Sequence, residues 1–307
     1  MTNITAPMVR DLRDKTGAGM MDCKAALTET AGDMEAAIDW LRKKGLSKAA
    51  KKAGRVAAEG LIGVAVGGDA GALVEVNAET DFVASNDQFK DFVKSAADIA
   101  LAEAGDMEKL MAKPVNGGAS VRDTLTHMVA TIGENMSVRR AVALSVNPGV
   151  VTSYVHNASS PELGKIGVLV ALKSTADKEK LTALGKQIAM HVAAAAPLAL
   201  SPEHLSKDVV DRERAIQADI ARQSGKPENV IEKMMEGRMR KFYEESVLLS
   251  QTFVIDGETQ ISKVLEKASK DLGAPVSIDA YVRFQVGEGI EKVESDFADE
   301  VSKMAGN

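Results

Sequence analysis

The chain has 307 residues, of which 45% are hydrophobic and 27% charged, a balance that excludes a disordered tail and is typical of a globular protein with two or three cores. The net charge of −6 and the aromatic content of 4% argue against a general nucleic-acid binder, which needs basic surfaces and stacking rings. One cysteine, Cys23, excludes an internal disulfide and leads us to expect a cytoplasmic protein. We expect no secretory signal, and the longest uncharged stretch, 141–161, contains Pro148 and His156 and is not expected to span a membrane.

The first 45 residues predict three short helices. Thr5 and Asp33 are typical N-cap residues for the first and third helices, and Gly17 and Gly32 end the first and second. A bundle of this size has too little core for chemistry of its own, and it usually serves as a docking module.

A basic stretch without an acidic residue follows the bundle. We favour a solvated helical linker, and contact with RNA or with an acidic partner surface stays an alternative. Its cations are Arg42, Lys43, Lys44, Lys48, Lys51, Lys52 and Arg55.

From residue 57 onward, strands and helices alternate. Apolar residues at 61–66 and 72–76 flank the turn Gly67–Asp69 and predict a β-hairpin. Apolar residues at helical spacing predict one helix from Phe89 to Ile99 and another over about 121–132. A strand is predicted over 137–146.

This pattern repeats later in the chain. Gly71–Val76 matches Gly167–Leu172, and residues 133–142 match residues 273–282 at an offset larger by 44 residues. The difference predicts an insertion of that size in the second copy. We therefore predict an α+β fold with a duplicated core of two similar lobes.

Apolar residues along 209–220 and 230–242 predict that the insertion is a helical hairpin that projects from the domain. Pro227 suits the first turn of its second helix. The apolar positions are compatible with packing within the hairpin, with contact to the same lobe, or with a homodimer through the core or the hairpin. A last amphipathic helix is predicted around Val293, Phe297, Val301 and Met304.

The sequence lacks the usual signatures of catalysis and of cofactor binding. It has no glycine-lysine-Ser/Thr phosphate loop and no dinucleotide pattern, and its four histidines have no metal-type spacing. Cys23 as a nucleophile would need a base that the sequence does not indicate. We therefore expect no catalytic residue, no metal site and no cofactor; an enzyme that uses Cys23 or a histidine is the remaining alternative.

The segment 76–86, between the first hairpin and its helix, allows two interpretations. Ser85 and Gln88 fit a capping box, and Phe82 lies seven residues before Phe89, so a continuous helix would bury Phe82 in the core. This is the interpretation that physics alone favours. Alternatively, Thr80 or Asp81 caps a separate short turn that a break at Asn86 ends, and Phe82 lies on an exposed tip.

Seven motifs span almost the whole chain, and in order they resemble those of the bacterial elongation factor Ts family. Two departures are Ser85, where the family often has a basic residue, and Ala78, where it often has cysteine. The motifs are residues 12–24, Glu79–Ala84, Ile132–Asn135, Ile188–Ala194, Ser224–Pro227, Glu236–Met239 and Phe284–Lys292.

The resemblance implies a nucleotide-exchange factor that binds elongation factor Tu in its GDP form and promotes GDP release without covalent chemistry. The segment Thr80, Asp81, Phe82 and Val83 is similar to the family's wedge, which disturbs the magnesium site of Tu. The resemblance implies docking contacts by Arg13, Met20, Met21, Lys24, Ile132, Gly133 and His156. It implies no direct binding of nucleotide, nucleic acid or membrane.

The repeat and the resemblance together predict five segments. These are a ubiquitin-associated-like docking bundle with its basic linker (1–55), an N-terminal core lobe (56–147), a C-terminal core lobe (148–202 and 251–286), the helical-hairpin insertion (203–250) and a C-terminal helical module (287–307).

Overall fold

The computed structural model describes residues 4–223 and 227–291. The described chain divides into two compact units. Unit 1 contains residues 4–63, 74–141 and 285–291, and unit 2 contains residues 64–73 and 142–284 apart from the gap. The five-segment division made from the sequence stays a prediction.

Unit 1 begins with a bundle of three helices: α1 (Ala6–Thr16), α2 (Met20–Glu29) and α3 (Met34–Lys52). The Asp33 carboxylate caps α3 by accepting a hydrogen bond from the Ala36 N–H at 2.9 Å. Thr5 is the N-cap of α1, as predicted, but its side chain makes no capping bond. Leu12 on α1, Cys23 and Leu27 on α2 and Ala37 on α3 are fully buried, so each helix contributes to a small apolar core.

The rest of unit 1 follows the predicted hairpin and its helices. The Val121–Ile132 helix agrees with the prediction, and the Met107–Ala112 helix was not predicted. The elements are β1 (Glu59–Gly67), β2 (Ala70–Ala78), α4 (Asp81–Ala84), α5 (Asp87–Ala102), α6 (Met107–Ala112), α7 (Val121–Ile132) and β3 (Met136–Ser145), and all three strands also have residues in unit 2.

Unit 2 repeats the order of two strands, helices and a further strand. The repeat implies its first strand without giving bounds, and the structure places that strand in the uncharged stretch 141–161. Its elements are β4 (Gly149–Ser160), β5 (Leu163–Lys173), α8 (Lys178–Ala195), α9 (Lys207–Gln223), α10 (Glu228–Ser246), α11 (Ile261–Leu272) and β6 (Ser277–Gln285), with 3-10 turns at Pro202–His204 and Leu248–Ser250.

The repeated order confirms the α+β class and the predicted duplication. In both copies a glycine in the left-handed conformation ends the last helix before the last strand: Gly133 (φ 92°) after α7 and Gly273 (φ 68°) after α11. A residue with a Cβ is strained in this conformation, which explains why the sequence match begins at these two glycines.

Hydrogen bonds join the strands in the order β3-β2-β1-β5-β4, and β6 also pairs with β5. The β4–β5 pair is antiparallel, and its register places Gly149 opposite Lys173 and His156 opposite Ile166. β5 supplies Val168, Val170 and Leu172 to the core of unit 2, which α8 covers.

His191 on α8 is fully buried in unit 2. Its Nδ1 accepts a hydrogen bond from the Val254 N–H at 3.3 Å, so Nε2 carries the proton and donates to the Gln251 side-chain oxygen at 2.9 Å. Burial lowers the pKa of His191, against an opposing effect of the Gln251 bond. This histidine therefore has satisfied hydrogen bonds and a structural role.

The insertion is a helical hairpin, as predicted, and α9 packs against α10. Pro227 is the N-cap of α10 and not a residue of its first turn; its carbonyl accepts from the Val230 and Ile231 amides. Residues 224–226, which are predicted to form a turn, and the predicted helix at Val293, Phe297, Val301 and Met304 lie outside the described residues. A homodimer through the core or the hairpin stays a prediction.

A buried carboxylate on β2 connects three segments of unit 1. Glu75 is fully buried; its oxygens accept hydrogen bonds from Arg140 at 2.6 Å, Arg139 at 3.1 Å, the Gly287 N–H at 2.9 Å and the Asn77 amide at 3.0 Å. Desolvation alone would raise its pKa, but these four hydrogen bonds outweigh burial and lower the pKa. Glu75 therefore stays charged and holds residue 287 to the sheet.

No helix among residues 4–223 and 227–291 is both long enough and apolar enough to span a bilayer.

Candidate partner-binding surface

The segment after β2 forms a short exposed tip. We define the tip as Thr80–Ala84, in which Thr80 is the N-cap of the four-residue helix α4. Asn86 ends the continuity with α5, because its side-chain oxygen accepts the Phe89 N–H at 3.2 Å and caps α5. The predicted capping box of Ser85 and Gln88 is wrong: Ser85 is the C-cap of α4, and its hydroxyl donates to the Asp81 carbonyl.

Within the tip, neighbouring side chains have opposite environments. Phe82 is 88% exposed and Asp81 is exposed, whereas Val83 is only 4% exposed and Ala84 is buried. The prediction of a buried Phe82 is wrong, since Asn86 interrupts the helix that would have turned the ring inward. The alternative with a separate short turn and an exposed Phe82 is the one observed.

The base of the tip is bonded to the turn that follows α7. The Glu134 carboxylate accepts the Thr80 N–H at 3.0 Å and the Thr80 hydroxyl at 2.7 Å. In the opposite direction, the Glu79 carboxylate accepts the Asn135 N–H at 2.5 Å. The structure therefore brings the tip together with Ile132 and Gly133, two predicted docking residues that end α7.

The predicted docking residues of the bundle lie on its surface. Met21 is 77% exposed and Met20 45% exposed, at the start of α2, and Arg13 and Lys24 are exposed as well. Beneath them, Cys23 is fully buried and its thiol donates to the Ala18 carbonyl at 3.6 Å. The surface of the bundle therefore presents two exposed apolar side chains and two exposed cations, over a packed interior.

At the end of α7, Ile132 is half-buried, and the Gly133 carbonyl accepts a hydrogen bond from the Lys52 ammonium group. His156 is exposed on β4 in unit 2, and its Nδ1 lies 3.2 Å from the Tyr154 hydroxyl. His156 therefore belongs to a different unit from the other predicted docking residues.

The basic stretch is helical to Lys52, as predicted, but most of its cations have partners within unit 1. Lys44 and Lys48 flank the Asp22 carboxylate at 3.0 and 2.7 Å, and these bonds, with that of Lys48 the larger, lower the pKa of Asp22. Arg42 lies 3.3 Å from Asp123. Lys44 and Lys48 are therefore half-buried against α2, whereas Arg42 is 66% exposed and solvated, as predicted for the linker.

Two features near the predicted site were missed. Glu134 lies within the motif Ile132–Asn135, and Glu75 lies within the predicted strand 72–76, but no role was predicted for either carboxylate. Thr80, the partner of Glu134, and Arg139, a partner of Glu75, lie more than 50 positions away in sequence, so local spacing gives no signal for these contacts. Among the residues that the structure describes, no group of three His, Cys, Asp or Glu side chains is placed to hold a metal ion.

Comparison with known protein families identifies the chain. Residues 79–288, which include the tip, the α7 turn and His156, match the family model described as elongation factor TS. The chain belongs to the elongation factor Ts family. It is therefore a translation elongation factor.

Full-length relatives support the same assignment. The chain is 64% identical over 304 residues, 98% of each chain, to elongation factor Ts of Rhodospirillum rubrum. It is 61% identical to elongation factor Ts of Rhodospirillum centenum over 100% of both chains. It is 62% identical to elongation factor Ts of Paramagnetospirillum magneticum over 100% of this chain and 98% of the relative. The match includes the bundle, which the family model does not cover.

Proposed function

We propose that this elongation factor Ts binds elongation factor Tu in its GDP form and promotes GDP release, so that GTP can bind. The observation that carries the proposal is the exposure of Phe82 at a tip whose adjacent residues Val83 and Ala84 are buried. A large ring that projects from an anchored base can enter a partner without unfolding its own support. We also propose that the protein acts in the cytoplasm, where translation takes place.

The mechanism we propose is a reciprocal coupling between two ligands of Tu. Magnesium bridges a nucleotide-binding protein to the phosphates and neutralises their charge. Insertion of Phe82 beside that site, with Thr80 and Asp81 in contact, favours a form of Tu that holds magnesium and GDP weakly. By linkage, GDP then weakens the binding of this protein by the same factor. No bond is formed or broken, so the protein needs no catalytic acid, base or nucleophile.

We propose that docking uses the bundle face with Arg13, Met20, Met21 and Lys24. Exposed methionines adapt to an apolar partner surface, and the two cations favour an acidic rim around it. Ile132, Gly133 and His156 are proposed as further contacts. Val83, predicted as part of the wedge, is proposed to act mainly as the buried anchor of the tip.

The test is stopped-flow release of a fluorescent GDP from purified elongation factor Tu, with this protein at catalytic concentration. We expect strong acceleration by the natural protein and a large loss of it in the Phe82→Ala variant. The matched control is Leu198→Ala, which removes another side chain that is more than half exposed, at 64%, but lies in unit 2. Absence of acceleration by the natural protein, with Tu shown to be active, would reject the proposed function.

A further inference from the structure

Thr80 does not use its hydroxyl in the usual way of an N-cap residue. A threonine in this position normally accepts a hydrogen bond from an amide of the following helix. Here the side chain makes no capping bond to α4, and the hydroxyl donates instead to Glu134, 54 residues further along the chain. Thr80 therefore does not cap α4 with its side chain, and its hydroxyl instead connects the tip to the turn after α7.

The link is reciprocal and consists of three hydrogen bonds between two short segments. Glu134 accepts both the amide and the hydroxyl of Thr80, and Glu79 accepts the amide of Asn135. Hydrogen bonds to a carboxylate are stronger and shorter than those between neutral groups. Because two adjacent residues of each segment take part, the tip cannot rotate about a single bond. We call these residues, Glu79, Thr80, Glu134 and Asn135, the clamp.

The end of the bundle is fixed to the same turn. Lys52, the last residue of α3, donates to the Gly133 carbonyl. The Asn135 side-chain amide donates to the Arg55 carbonyl at 2.7 Å, and the Arg55 guanidinium lies 3.5 Å from Glu79. The turn Gly133–Asn135 therefore contacts both the chain that leaves the bundle and the chain that enters the tip.

From this geometry we infer that Glu134 is a positioning residue for Phe82. The inference rests on the proposed exchange function and deepens it. Glu134 holds Thr80, and through it the first turn of α4, so that the ring meets Tu in one orientation. Glu79 and Asn135 complete the clamp from the other side. The turn Gly133–Asn135 thereby sets the direction of the tip relative to the end of the bundle.

The test separates orientation of the ring from docking of the protein. The full-length Glu134→Ala variant is assayed for GDP release over a range of concentrations, which yields a rate at saturation and a half-saturating concentration. We expect the rate at saturation to fall about 10- to 100-fold, as misplacement of a positioned group does, while the half-saturating concentration changes less than about twofold. Glu79→Ala removes the other half of the clamp and should act in the same direction.

The matched control is Glu108→Ala, an exposed carboxylate on α6, which should leave both values unchanged. Thermal denaturation shows whether each variant folds, and if Glu134→Ala does not fold, the Glu79→Ala variant provides the test. If the natural protein accelerates GDP release and the folded clamp variants have the same rate at saturation, the positioning role is overturned and the proposed function is not. The positioning role is also overturned if the clamp variants lose activity only because they bind Tu more weakly. A natural protein without exchange activity would instead reject the proposed function.

Discussion

Phe82 and Val83 are adjacent in the chain but have opposite effects on the folded protein. The ring of Phe82 is in water, so its removal takes almost no packing from unit 1. Val83 is buried below it, and its truncation removes two methyl groups and leaves a cavity. If Phe82 contacts the partner as proposed, the two positions separate partner contact from stability within one helical turn.

We predict that Val83→Ala lowers the free energy of unfolding by about 1–3 kcal/mol, from lost burial and the cavity. Phe82→Ala should change it by less than about 0.5 kcal/mol, as for exposed residues in general. Urea denaturation followed by circular dichroism measures both. A large loss of stability in Phe82→Ala would contradict the exposed tip and would show that the Phe82 ring is buried in the core.

Glu75 makes unit 1 sensitive to acid. Because its pKa is lower in the folded protein than in the unfolded chain, the unfolded state binds a proton more readily. Its contribution to stability is fully present above the ordinary glutamate pKa of 4.5, and it is lost as the pH falls through the lower pKa of the folded state.

We predict that Glu75→Gln lowers the free energy of unfolding by about 3 kcal/mol at pH 7, where a buried charge network loses its central carboxylate. The difference between the natural protein and the variant should shrink as the pH falls below about 4.5, because protonated Glu75 resembles glutamine. Urea titrations at several pH values between 3 and 7 test this. A difference that stays constant over that range would show that Glu75 does not titrate as proposed.

Among the elements, the break between α4 and α5 decides the orientation of the tip. Asn86 caps α5 at the point where the pattern of apolar residues would otherwise continue the helix backwards. If α4 and α5 joined, the seven-residue spacing would bring Phe82 to the same face as the buried Phe89.

We therefore predict that Asn86→Ala lowers stability by about 1 kcal/mol through loss of the cap and also reduces GDP release. Asp106→Ala is the matched control, because Asp106 caps α6 in the same way through the Lys109 N–H at 3.1 Å. It should lose similar stability and keep normal exchange. Equal exchange rates in the two variants would show that the break does not control Phe82.

Much of this element structure can be predicted from local sequence. The limits of α7 follow from its apolar spacing and from Gly133, and the first hairpin follows from its Gly-Gly-Asp turn. The repeat implies β4, but its bounds could not be predicted because its run of small and polar residues lacks clear alternation. The orientation of Phe82 could not be predicted, since it depends on whether Asn86 or Ser85 caps α5, and the two residues have similar capping preferences. The clamp depends on contacts distant in sequence, which local patterns do not encode.

At the scale of the whole molecule, the proposed function places docking and exchange on different surfaces of unit 1. The bundle offers Met20 and Met21, and the tip offers Phe82. A contact made equally in the initial complex and at the moment of release affects only affinity, whereas a contact made only during release affects the rate.

We predict that Met21→Asp raises the half-saturating concentration for GDP release about tenfold or more, because it places a charge in an apolar contact. The rate at saturation should stay near that of the natural protein. The free energy of unfolding should change little, since Met21 is 77% exposed. A lower rate at saturation, with unchanged half-saturation, would contradict this division between the surfaces.

The bond from Glu75 to the Gly287 amide also sets an order of events during synthesis. The two residues are 212 positions apart, and ribosomes add about 5–20 residues per second, so Glu75 is made about 10–40 s before its partner. Unit 2 lies between segments of unit 1 in the chain and is completed first. Glu75 therefore gains its hydrogen bond from the Gly287 amide only after almost every other described residue of the chain has been translated.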